Sequence, residues 1–80
     1  MIQIEVTYYA MLRERRGLSA ESIQTEAASL GALYDDLAGE FGLPNKRQHL
    51  KVAVNDQFVS WDSSFAPGDR ITFIPPVSGG

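Results

Sequence analysis

One stretch of this 80-residue chain limits its fold more than any other. Leu30, Leu33, Tyr34, Leu37, Ala38 and Phe41 fall at i, i+3, i+4, i+7, i+8 and i+11, a single apolar stripe at the helical period. Asp35, Asp36 and Glu40 lie off the stripe. Ser29 is placed to cap the start of this helix, Gly42 to close its end, and Pro44 stands just beyond. Gly31 and Gly39 each weaken such a helix by about 1 kcal/mol relative to alanine, so it needs a surface to pack on.

The rest of the chain supplies that surface as strands. Ile2, Ile4, Val6 and Tyr8 alternate with Gln3, Glu5, Thr7 and Tyr9, the period-two pattern of a half-buried strand. Arg13-Glu14-Arg15-Arg16-Gly17 interrupts it with charge and a glycine and reads as a turn. Ser22–Glu26 reads as a second strand, antiparallel to the first by hairpin logic. After a polar loop from Pro44 to His49, Leu50–Val54 is a short strand, and Asn55-Asp56 a tight turn into Gln57–Trp61. Asp62-Ser63-Ser64 and Pro67-Gly68-Asp69 are turn clusters. A last strand, Arg70–Ile74, is stopped by Pro75-Pro76, which donate no ladder hydrogen bonds.

The predicted order is β-β-α-β-β-β. One helix cannot cover two sheet faces, so the expectation is an α+β fold with a mixed five-stranded sheet and one main helix packed on one face. That is the β-grasp, or ubiquitin-like, arrangement, with the last strand parallel beside the first at the centre of the sheet. Residues 1–77 are expected to form this domain and residues 78–80 a flexible C-terminal diglycine tail.

Several function classes are disfavoured. The chain has no cysteine, hence no disulfide, no thiolate metal site and no cysteine nucleophile, which fits a reducing cytoplasm. A formal net charge of -3 argues against a nucleic-acid partner. No apolar run approaches the roughly 20 residues that span a bilayer, and the N-terminus does not read as a signal peptide, so no membrane is expected. His49, the single histidine, reads as surface, and the helix carboxylates as a solvated face. Gly39 and Gly42 suit a helix and its cap better than a phosphate loop. The expectation is a domain that binds no cofactor or metal and catalyses nothing alone.

The chemistry then falls to Pro75-Pro76-Val77-Ser78-Gly79-Gly80. Glycines lack Cβ, so a terminal pair can thread a narrow channel and present a bare carboxylate to another protein's active site. The prolines stop the strand and stiffen the exit. A carboxylate is inert until activated, so a partner must use ATP to form an acyl adenylate.

The ending Phe73-Ile74-Pro75-Pro76-Val77-Ser78-Gly79-Gly80 resembles the Pro-Pro-Val-x-Gly-Gly terminus of molybdopterin synthase small subunits. Tyr8-Tyr9-Ala10-Met11-Leu12-Arg13-Glu14 resembles their Phe-Phe-Ala-x-x-Arg-Glu segment, with tyrosines for the two phenylalanines. Ala53-Val54-Asn55, Val59-Ser60 and Pro67-Gly68-Asp69 also fit, and Ile74 stands where a second Phe is common. The resemblance implies a sulfur carrier whose Gly80, seated beside Gly79, is adenylated by an E1-like adenylyltransferase that uses ATP and then thiocarboxylated. It implies sulfur donation to cyclic pyranopterin monophosphate inside a large synthase subunit, to form the molybdopterin dithiolene. The implied assembly is a heterotetramer of two small and two large subunits.

The strand alternation also predicts a docking face. With Ile4, Val6, Ile71 and Phe73 toward the helix, Tyr9, Phe58 and Ile74 lie opposite, among Thr7, Ser60 and Thr72. Large apolar groups clustered on an uncovered sheet face mark a partner. Pro75, Pro76, Val77 and Ser78 extend that contact along the tail, and Arg13, with Arg15 and Arg16, is placed to meet acidic groups. Trp61 reads as core or rim packing. Two rival readings share the fold: a carrier for thiamine synthesis or tRNA thiolation, and an interaction module with an incidental Gly-Gly end. The Pro-Pro before the glycines speaks against a thiamine carrier.

Overall fold

The computed structural model describes residues 1–44 and 47–75. Strands β1 (Ile2–Tyr8), β2 (Ala20–Thr25), β3 (Lys51–Val54), β4 (Gln57–Val59) and β5 (Arg70–Ile74) form one sheet in the order β2-β1-β5-β3-β4. β5 runs parallel to β1 and lies at the centre, and every other pairing is antiparallel. This is the expected β-grasp topology.

Helix α2 (Leu30–Phe41) crosses one face. Its stripe behaves as the periodicity requires: Leu30, Leu33, Tyr34, Leu37 and Ala38 are buried and Phe41 is half-buried. Ser29 accepts a hydrogen bond from the Ala32 amide, and Gly42, in the left-handed region at φ 71°, donates its amide to the Ala38 carbonyl. The first α2 amides are satisfied from outside the helix, Leu30 by the Ser63 carbonyl and Gly31 by that of Trp61. These two bonds tie the segment after β4 to the helix.

From the sheet, Ile4, Val6, Tyr8, Val52, Ile71 and Phe73 meet this stripe with almost no exposure. Fully covering side chains of this size contributes roughly 1.5–3 kcal/mol each. Trp61 stacks on Phe73 at a centroid distance of 6.0 Å and meets Tyr34 edge-on at 5.7 Å, so it packs against the core as expected. Burial raises the Tyr34 phenol to about 12, and its hydroxyl donates to the Pro44 carbonyl.

The segment read as a turn is a correction. Ala10–Arg16 forms a second helix, α1, closed by Gly17 at φ 84°. Ala10, at φ 52°, makes the sharp bend from β1 into it. Seven residues are too few to hold a helix by propensity, so tertiary contacts hold it. Leu12 is fully buried. Arg16 donates twice to Glu21 on β2, at 2.8 Å each, and its guanidinium lies 3.7 Å from the centroid of the Phe41 ring. Arg15 donates to the Gly42 carbonyl.

Strand ends differ slightly from expectation. β2 starts at Ala20 and stops at Thr25, where the Thr25 hydroxyl accepts from the Ala27 amide. β4 stops at Val59, because Ser60 accepts from the Ser63 amide and the Trp61 carbonyl turns to α2. Asn55 and Asp56 both adopt positive φ, 51° and 73°, the geometry of a two-residue hairpin turn.

Candidate functional site: the open sheet face and the root of the tail

The face away from α2 is set by register. Thr7 pairs with Thr72, Thr72 with Ala53, and Ala53 with Phe58, so these four form one row across the sheet. Thr72 and Ala53 are buried at 7% and 5% exposure although no helix covers them, while Phe58 stands 67% exposed at the row's end. The result is a flat floor of small side chains with an aromatic ring rising beside it.

Polarity changes along the strands. The row nearer the start of β5 is charged: Glu5 opposes Arg70, Ser22 donates to Glu5, and Arg70 pairs with Asp56. Beyond the Thr7–Phe58 row, toward the tail, come half-buried Ile74 opposite Lys51 and exposed Tyr9. Tyr9 follows buried Tyr8 in extended conformation and so lies on the other side of the sheet from it. Lys51 apart, this end of the face is the more apolar one, and it is where β5 stops before Pro75.

Tyr9, Phe58 and Ile74 thus share the expected face, on β4, on β5 and just past β1. Ser60, exposed, follows β4 at the same edge. Pro75 is buried at the end of β5. Pro76, Val77, Ser78, Gly79 and Gly80 lie outside the described residues. Of the basic run, only Arg13 remains as an exposed group without a side-chain bond recorded among the described residues. Arg16 is held by Glu21, while Arg15 stays exposed with one bond to the Gly42 carbonyl.

The Arg16 contact with Glu21 continues to Tyr8, whose hydroxyl donates to Glu21 at 2.7 Å. The hydrogen bond from Arg16 holds the Glu21 carboxyl below the usual carboxylate range. Burial pushes the Tyr8 phenol well up, helped by its bond to Glu21. Burial and the bond to Glu21 hold the Tyr8 ring in place at the strand end that precedes Tyr9. The floor residues Ala53 and Thr72 escaped the sequence reading as a pair, because only the register shows them adjacent.

The ThiS family profile matches residues 6–80. The chain belongs to the ThiS family. Within reach of this family, the molybdopterin synthase sulfur carrier subunit of Escherichia coli strain K12 is 32% identical over 80 residues, covering 96% of this chain and 99% of that one. SAMP1 from Haloferax volcanii superposes with a TM-score of 0.81 at 26% identity, covering 98% of this chain and 99% of the other. A chain in the complex of subunits 1 and 2 of molybdopterin-converting factor from Helicobacter pylori 26695 gives 0.68 at 25% identity, with 99% and 100% covered. The ThiS-family chain described here has no helix, among the described residues, long and apolar enough to cross a membrane.

Proposed function

We propose that this chain is the sulfur-carrier small subunit of a molybdopterin synthase, with the C-terminal carboxyl of Gly80 as the group that carries sulfur. The observation that carries this reading is the end-to-end match to the Escherichia coli sulfur carrier subunit. The open face supports it, since its apolar part adjoins the root of the tail. A partner seated there receives the tail without any rearrangement of the domain.

In this reading the domain is the grip and the tail is the reagent. An E1-like adenylyltransferase uses ATP to convert the Gly80 carboxylate to an acyl adenylate, and sulfur then replaces the adenylate to give a thiocarboxylate. The large subunit docks on Tyr9, Phe58 and Ile74, with Arg13 at the border. Pro75 and Pro76 fix the direction of exit, and Val77, Ser78 and Gly79 thread toward the large subunit's active site. Two sulfur transfers to cyclic pyranopterin monophosphate complete the dithiolene. Two small and two large subunits make up the working assembly, and the setting is cytoplasmic.

Reconstitution with the adenylyltransferase, ATP, a sulfur donor and the large subunit tests the proposal. Intact-protein mass spectrometry should show one oxygen-to-sulfur exchange at the C-terminus, and the precursor should be converted to molybdopterin. Deleting Gly79 and Gly80 should remove both while leaving the fold and large-subunit binding in place. A thiocarboxylate that forms but serves only thiazole synthesis or tRNA thiolation would overturn the pathway.

A further inference from the structure

A second surface lies on the other side of the sheet, at the opposite edge from Phe58. Between β2 and α2 runs a groove of about 580 Å³. Its floor is apolar, made by Ile23 of β2 with Leu33, Leu37 and Phe41 of α2. Its rim is acidic, with Glu26 beyond β2 and Asp36 and Glu40 one turn apart on the exposed side of α2. No lysine, arginine or histidine is among its lining residues. Arg16 sits over Phe41 but is held by Glu21, so among the described residues the one cationic group lining the groove is the Met1 ammonium, against three rim carboxylates.

The strand that borders the groove is an edge. β2 is outermost in the sheet, and among the described residues no strand pairs with its outer side. Proteins usually blunt such edges by brevity, lysine, proline or a bulge. β4, the other edge, is three residues long. β2 offers six, Ala20-Glu21-Ser22-Ile23-Gln24-Thr25, with neither lysine nor proline. Its single charge, Glu21, is held by Arg16 and Tyr8. An extended chain added along this edge gains main-chain hydrogen bonds and lays every second side chain on the α2 side, level with Ile23 and Thr25.

We infer that the β2–α2 groove is a docking site for an extended segment of a partner protein, apolar at alternate positions and carrying lysine or arginine. Apolar side chains match the floor, and the basic groups match the carboxylates of Glu26, Asp36 and Glu40. The site is independent of the proposed sulfur chemistry. Phe58 lies on the other face and at the other edge, so both surfaces can be occupied together.

Selection of phage-displayed random peptides on the full chain tests this, with the bound peptides mapped by amide chemical shifts and titrated. Enriched peptides should alternate apolar residues and include Lys or Arg, and should shift Ile23–Ala27 and Leu33–Phe41. Affinity should fall about tenfold in the Asp36→Lys, Glu40→Lys double variant, and should weaken with added salt. Both positions are solvent-exposed on α2, so the fold survives the change, and unfolding curves verify it. Absence of enriched peptides, shifts confined to the Phe58–Ile74 face, or affinity indifferent to the charge reversal would each overturn the inference. So would self-association of the chain through β2.

Discussion

Phe58 gives the open face its largest exposed apolar side chain, and the effect of truncating it to alanine can be sized from its exposure. An aromatic side chain buries about 150–250 Å² when fully covered. Phe58 is 67% exposed in the isolated chain. Roughly 100–170 Å² therefore remains for a partner to cover, worth about 2.5–4 kcal/mol at 25 cal/mol per Å². Alanine keeps a fraction of that contact, so the expected loss is about 2–3 kcal/mol, or roughly 30- to 150-fold in Kd.

The assay is calorimetric titration of Phe58→Ala against the molybdopterin synthase large subunit. Folding has to be checked beside it. Phe58 faces only Ala53 across the ladder, and most of its ring is in solvent, so unfolding free energy should shift by about 1 kcal/mol or less. Phe58→Asp should go further by placing a charge in a desolvated contact, and Ile74→Asp should act with it. A Phe58→Ala chain that is fully folded and binds within about threefold of the parent would refute the reasoning, because the solvent-exposed ring could then not be central to the contact.

Gly39 and Gly42 should respond in opposite directions to alanine. At Gly39 a Cβ meets nothing within 4 Å, so Gly39→Ala should stabilise by about 0.5–1 kcal/mol and raise the melting temperature by several degrees. At Gly42 the cap needs φ 71°, so Gly42→Ala should destabilise by about 1 kcal/mol in the same thermal scan. Glu21→Gln tests the clasp between α1 and β2 through pH. The folded carboxyl titrates below its unfolded value of about 4.3, so its stabilisation is complete above that pH and is lost as pH falls through the folded value. Denaturant curves of the variant should lie below the parent at neutral pH and converge with it in acid; parallel curves would exclude Glu21 as the source.

The fold was legible where one period or one turn chemistry dominated. The α2 stripe, its Ser29 and Gly42 caps, the Asn55-Asp56 hairpin and the proline stop after Ile74 each depend on residues close in sequence. Helix α1 was not legible for the converse reason. Its run Arg13-Glu14-Arg15-Arg16 has no apolar stripe, and a single buried residue, Leu12, anchors it. What holds it is Arg16 meeting Glu21 on β2 and Phe41 at the end of α2, partners 5 and 25 positions away (21 − 16 and 41 − 16). The local sign that was available is Gly17 directly after a basic last turn, a C-terminal cap signal that a charge run obscures.

The open face shows the same division in a single surface. Alternation alone put Tyr9, Phe58 and Ile74 on the side away from α2, because facing depends only on odd and even position along each strand. Relief depends on which residues stand side by side, and that requires the register of β1, β5, β3 and β4 together. Only then do Thr7, Thr72, Ala53 and Phe58 become one row, with two small buried residues at its centre and the ring at its edge. A flat floor beside a raised aromatic suits a broad protein surface, while a small ligand is better served by a concave site that encloses it. The Glu5–Arg70 row sits at the far end of β5 from Pro75, and Lys51 is the one charged neighbour of Ile74 across the β3–β5 ladder, so the proposed docking predicts closest contact at Ile74. Under the proposed function, the placement of polarity along β5 would give a docked partner an orientation as well as an address, as delivery of a terminal carboxyl demands.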